Sequence, residues 1–172
     1  GAAGGRGVGG GGAGVAPGGP RRRGRDAKTH AGSTTGVTGT DHAMLAGGLR
    51  LAERGALTTK PNPMVGCVLA NGDEVVGEGW HQRAGGPHAE VLALRDAAQA
   101  VGSWRLRDCV LVSTLEPCPM CAGAAVSARI PMVAFGADDP KAGALGTPYN
   151  LGSDPRRNHA IDVRPGVASA EA

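Results

Sequence analysis

Two short clusters of metal-ligating side chains constrain the fold of this chain more than any other feature: His88-Ala89-Glu90 and Cys118-Pro119-Met120-Cys121. Each sits where the patterning changes into that of a helix, so the fold has to be one in which both clusters open helices. Val65 to Ala70 is a short apolar run, Asn71-Gly72-Asp73 has the residues of a hairpin turn, and Glu74 to Trp80 alternates as a second strand. His88 to Val101 carries Val91, Leu92, Leu94, Ala98 and Val101 at helical spacing, and Cys109 to Ser113 has the composition of a buried strand. Cys118 to Arg129 reads as a helix with Pro119 at an early position, where a missing N–H costs nothing, and Met132 to Phe135 as the strand after it. Upstream, Asp41 is suited to cap a helix carrying Met44, Leu45, Leu49 and Leu51 and ending near Gly55; downstream, Ile161 to Arg164 is a candidate strand. The order helix, strand, strand, helix, strand, helix, strand predicts one sheet with helices on its faces. Strands separated by helices should pair in parallel, and the Asn71-Gly72 turn should close an antiparallel pair.

Composition separates the first 40 residues from the rest. They hold 15 of the 31 glycines and a net charge of +5, against −2 for the remainder, so the formal +3 belongs to the tail and is no argument for nucleic acid binding by the folded part. With no hydrophobic period to repay its backbone entropy, residues 1–40 are expected to be a disordered Gly/Arg-rich tail, and residues 41–172 the folded domain. Arg21, Arg22, Arg23 and Arg25 either meet phosphates or belong to a solvated linker. Trp80, Trp104, Phe135 and Tyr149 are the whole aromatic set, so the core must be Val, Leu and Ala, and an aromatic platform for single strands is disfavoured. No apolar run approaches the ~20 residues of a membrane span, and no signal sequence opens the chain, so a cytoplasmic protein without a membrane partner is expected.

Four cysteines are too few for a disulfide scaffold of this length, and a Cys-x-x-Cys pair in a reducing compartment reads as metal or redox chemistry. Cys118 and Cys121 are three apart at a helix start, where free amides favour thiolates. With His88 they offer three ligands to a zinc ion and leave its fourth position to water, the pattern of a catalytic rather than a structural site. Cys67, Cys109 and His81 are conceivable further ligands, although cysteines within strands are more often packing residues. Glu90, two residues from the histidine, is close enough to take a proton from a metal-bound water and pass it to a leaving amine. The combination of His-x-Glu with Pro-Cys-x-x-Cys is the signature of the zinc nucleobase deaminases.

On these motifs the chain resembles the cytidine deaminase-like zinc hydrolases over residues 41–165. The stretches GSWRL, TLEPCPMCAGA, FGADDPKAGALG and DPRRNH within residues 102–159 look like a bacterial tRNA-specific adenosine deaminase. PNPMVGCV and GEGWHQRAGGPHAE within residues 61–90 look more like the pyrimidine deaminase of riboflavin biosynthesis. In the riboflavin family the two cysteines stand farther apart and a reductase domain follows; the tRNA family has an asparagine where this chain has His81. The resemblance implies a three-layer αβα fold around a mixed sheet of about five strands, and a homodimer. It implies zinc on His88, Cys118 and Cys121, proton transfer by Glu90, and a base held near Asn62, His81 and Ala89. Asn62 can equally be a turn residue before proline, and Glu116 reads as a loop anchor without a catalytic role. The expected activity is hydrolytic deamination of the wobble adenosine in a tRNA anticodon stem-loop. The alternative substrate is a ribosylated aminopyrimidine phosphate, and a remote third reading is a non-catalytic RNA-binding module that uses zinc only for folding, against which Glu90 counts.

Overall fold

The structure, a computed structural model, describes Gly1 and residues 38–167. The expected disordered tail therefore lies, apart from Gly1 and its last three residues, outside the described residues. Helix α1 (Gly39–Glu53) is followed by strands β1 (Gly66–Asn71) and β2 (Glu74–Trp80), helix α2 (Ala89–Val101), strand β3 (Cys109–Leu115), helix α3 (Pro119–Ser127) and strands β4 (Met132–Ala137) and β5 (Asp162–Arg164). The sheet order is β2-β1-β3-β4-β5.

The local reading survives with shifted boundaries. Thr38, not Asp41, caps α1: the Thr38 hydroxyl accepts from the Asp41 amide, and the Asp41 carboxylate accepts from the Thr38 amide. Asp41 is thus the far half of a reciprocal capping box rather than the cap. The Asp41 carboxylate also receives Arg164 of β5 at 2.9 Å, with both side chains largely buried, so the start of α1 is tied to the last strand. As expected, β1 and β2 form a hairpin closed by Gly72 and Asp73, with Gly72 at φ 62°, a conformation that costs glycine little.

Pairing across the helices is only half as predicted. β3 and β4, joined through α3, are parallel neighbours. β2 and β3, joined through α2, are not neighbours at all, because β1 lies between them and pairs antiparallel to both. The burial fits this order: Cys67, Val68, Leu69 and Ala70 of β1 are buried, while β2, at the edge, leaves Glu74, Val75 and Glu78 exposed.

Side chains alternate between two layers. Cys67, Leu69, Leu111, Val133 and Phe135 pack with α2 and α3, while Val112 and Ala134 pack with Leu45 of α1 on the other face. With Phe135 the one aromatic in this core, the helices sit very near the sheet, seated on glycines. A Cβ on Gly66 would meet the backbone of α1 at Gly48 and Ala52, and one on Gly79 would meet Ala89 O and, at 2.6 Å, Ala93 N of α2. Gly79 therefore decides how closely the first turn of α2, which carries His88 and Glu90, lies on β2. Gly79→Ala should cost about 1–3 kcal/mol as overpacking, read as a lowered midpoint in urea, with a wild-type midpoint overturning this account.

Candidate metal centre and cavity

The ends of β2 and β3 each run into a loop that delivers ligands. His88 occupies the N-cap position of α2 in extended conformation, φ −71° and ψ 156°. Cys118 holds the same position on α3, φ −69° and ψ 171°, with Pro119 next to it, and Cys121 lies in the first turn. Neither His88 nor Cys118 makes a side-chain cap, which leaves both side chains free to turn towards each other.

They converge. His88 Nδ1 is 3.5 Å from Cys118 Sγ and 3.5 Å from Cys121 Sγ, and the three ligand atoms lie within 4.8 Å of one another. Tetrahedral zinc, with bonds of about 2.3 Å to sulfur and about 2.0 Å to nitrogen, spaces its nitrogen and sulfur ligands about 3.5 Å apart, so the set fits that ion. The electrostatics point the same way. Burial pushes the Cys121 thiol far above its ordinary value, with Glu90 and Cys118 adding to the effect. The amides of the helix start by themselves lower the cost of a thiolate; at Cys121 desolvation and the neighbouring carboxylate outweigh them, and a divalent cation is what would make two sulfur anions and a carboxylate compatible.

Glu90 is 4% exposed, and one oxygen, Oε1, accepts from the Ser113 hydroxyl at 3.4 Å while the other, Oε2, accepts from the Cys121 thiol at 3.4 Å. Burial raises its pKa; the hydrogen bonds and the nearby His88 pull it partly back. Ser113 belongs to no motif of the sequence, yet it is part of the site. The signal was its place two residues after Leu111, on the same face of β3, which looks towards α2.

A cavity of about 220 Å³ opens beside Glu90, lined by Asn62, His81, His88, Ala89 and Cys118 among others. All seven expected site residues thus belong to one region, six of them lining the cavity and Cys121 standing behind it. His81, however, is engaged within the protein on both sides. Its Nδ1 lies 3.2 Å from the Pro87 carbonyl, which can only accept, so that nitrogen carries the proton. Nε2 is then the acceptor for the Asn62 amide at 3.5 Å. His81 is buried and its ring stands edge-on to His88, 5.7 Å between centroids. Cys67 and Cys109, conceivable as ligands from the sequence, are buried strand residues and stand outside the cluster. Lys141 and Arg157 are exposed, and Arg156 forks onto Asp154.

A His, Cys, Cys ligand set with a buried carboxylate beside it, at the strand ends of a three-layer αβα sandwich, defines a zinc-dependent hydrolytic centre of the deaminase kind. The chain belongs to the cytidine and deoxycytidylate deaminase family, whose zinc-binding region matches residues 38–137. The tRNA-specific adenosine deaminase of Bacillus subtilis (strain 168) is 43% identical over 111 residues, 62% of this chain and 69% of that one. The riboflavin biosynthesis protein RibD of Escherichia coli (strain K12) is 40% identical over 139 residues, 77% of this chain but 35% of that one, so the chain spans about a third of that relative. A solved structure from work on A-to-I editing by tRNA:A34 deaminases at the wobble position of transfer RNA has a TM-score of 0.64 and 32% identity, covering 75% of this chain and 95% of that one. The expected fold, family and zinc-dependent deaminase class are borne out. Among the described residues no helix is long and apolar enough to cross a membrane.

Proposed function

We propose that this chain deaminates the wobble adenosine of tRNA to inosine, with His88, Cys118 and Cys121 holding zinc and Glu90 moving the proton. The observation that carries the chemistry is the placement of His88 Nδ1 3.5 Å from both sulfurs with the Glu90 carboxylate at the same point. When bound, zinc would supply a water of lowered pKa. Glu90 would take a proton from the attacking water and return it to the amine as ammonia leaves, so that one C–N bond is exchanged for C–O without any redox partner. Asn62 and Ala89 face the base, and His81 holds Asn62 by accepting from its amide. For a tRNA the base must leave its stack to enter the cavity.

The substrate is chosen on two grounds. The tRNA deaminases match this chain over most of their own length, and the cysteines are spaced as Cys-x-x-Cys. The second reading, a ribosylated aminopyrimidine phosphate, is supported by RibD, which matches over 139 residues, and by the resemblance of GEGWHQRAGGPHAE, which contains His81, to the riboflavin-biosynthesis deaminase. We also place the chain in the cytoplasm and read it as a homodimer, the dimer supported by the apolar groove between α2 and α3 that half-exposed Trp104 rims.

The test is an assay of the wild-type protein on an anticodon stem-loop and on the aminopyrimidine, scoring inosine and ammonia. Inosine on the stem-loop is expected, with light scattering of the same sample giving twice the chain mass. His81→Asn should keep or raise that rate. An inert stem-loop with ammonia from the aminopyrimidine, impaired about tenfold to a hundredfold by His81→Asn, would establish the second reading instead.

A further inference from the structure

One buried charge at the edge of the cavity has no part in this chemistry. Glu116 lies between the end of β3 and the ligand Cys118 and is 2% exposed, yet its carboxylate is fully served by hydrogen bonds. Oε1 accepts from the Leu145 amide at 2.9 Å and the Thr147 amide at 3.1 Å; Oε2 accepts from the Asp139 amide at 3.1 Å and from the Thr147 hydroxyl. Every donor belongs to the loop that leaves β4. That loop spans residues 138–147, and two of its residues, Asp139 and Ala142, line the cavity.

The rest of the loop is held locally. Asp139 Oδ1 accepts from the Lys141 and Ala142 amides, and Asp139 O accepts from Gly143 N, which folds the segment on itself but does not place it against the site. Placement of the far end comes from Ala144 and Leu145, which are buried in the core, and from Ala144 N to Pro117 O at 3.0 Å and Leu151 N to Ala144 O at 2.9 Å; Glu116 is what ties the cavity-lining start of the loop, at Asp139, to that same end. The fit leaves no slack: a Cβ on Gly143 would run into the Glu116 carboxylate and lie 2.6 Å from Asp139 O.

We propose that Glu116 is a positioning residue for the substrate, the buried anchor that fixes the 138–147 loop as one wall of the cavity. This rests on the cavity being the deaminase site described above. Glu116 acts on the seating of the substrate and not on proton transfer or metal binding, because its four donors lie on the wall and none lies on a ligand residue. A carboxylate is suited to the task, since its two oxygens accept all four donors at once, whereas an amide offers one acceptor and turns a donor towards the others.

Zinc-loaded Glu116→Gln, Glu116→Ala, Gly143→Ala and the Gly143→Ala/Glu116→Ala double variant test it on whichever of the two substrates wild type turns over. KM should rise about tenfold or more in Glu116→Ala, less in Glu116→Gln, with kcat within a few-fold and one zinc per chain retained. Gly143→Ala should raise KM alike, yet add less on top of Glu116→Ala than it does alone, since truncating the carboxylate removes its two nearest clashes and leaves only the 2.6 Å approach to Asp139 O. In Glu116→Gln, chosen to preserve shape, amide hydrogen exchange should quicken at residues 139, 145 and 147 while the strands stay protected. Loss of zinc, a fall in kcat at unchanged KM, additive effects in the double variant, or unaltered exchange at those amides would each overturn the proposal. If wild type deaminates neither substrate, the functional reading fails, and the exchange measurement still decides whether Glu116 anchors the wall.

Discussion

Glu90→Gln is expected to keep the zinc and the fold while turnover falls by about 10²–10⁴, the usual worth of general acid and base catalysis. Glutamine preserves the shape of the side chain and can still accept from the Ser113 hydroxyl, which approaches Oε1 at 3.4 Å. What it cannot do is take a proton from water and hand it on. Because Glu90 is buried with its oxygens between Ser113 and Cys121, the exchange also replaces a desolvated carboxylate by a neutral group, so the thermal midpoint should hold or rise. Zinc content by elemental analysis, a melting curve and an ammonia assay on one preparation are sufficient. Activity within a few-fold of wild type would remove Glu90 from the proton path.

Loss of the metal is expected to have the other large effect. Cys121→Ala should abolish turnover, reduce zinc well below one per chain and lower the melting temperature, since a ligand present at 1,000 times its Kd stabilises the native state by about 4 kcal/mol. The fold itself should persist, because Leu69, Leu111, Val133 and Phe135 pack between sheet and helices without help from the site. Cys67→Ala supplies the contrast. Cys67 is fully buried on β1, its thiol pushed up by burial and by Glu90, and it is not among the clustered ligands. It should cost packing energy and leave the zinc in place. Full zinc occupancy in Cys121→Ala, or zinc loss in Cys67→Ala, would redraw the ligand set.

What could be read from the residues in order, and what could not, divides along a physical line. Asn71-Gly72 announced the hairpin, Glu74 to Trp80 emerged with the boundaries its alternation implies, and His88 and Cys118 stand at the helix starts their neighbours require. Each depends on backbone preferences and side-chain periods that span a few residues, so the sequence alone determined them, together with the identity of the zinc motif. Even there a local ambiguity remained: Thr38 and Asp41 are both competent caps, and the box they form uses both.

The tertiary structure decided the rest. Insertion of β1 between β2 and β3 depends on which strand gains most from burial on two faces, a comparison among segments far apart in the chain. Ser113 reaches Glu90 across 23 positions, Glu116 gathers amides from residues 23 to 31 further on, and His81 spends both ring nitrogens on Pro87 and Asn62. The Cys121 thiol, which its helix position alone would make acidic, is raised because burial and Glu90 act on it. Desolvation and long-range pairing are properties of the packed interior, where removing water makes a charge or an unpaired donor expensive. Local sequence therefore carried the ligands and the hairpin, while packing alone determined strand order, hydrogen-bond partners and the acidity of the groups beside the metal site.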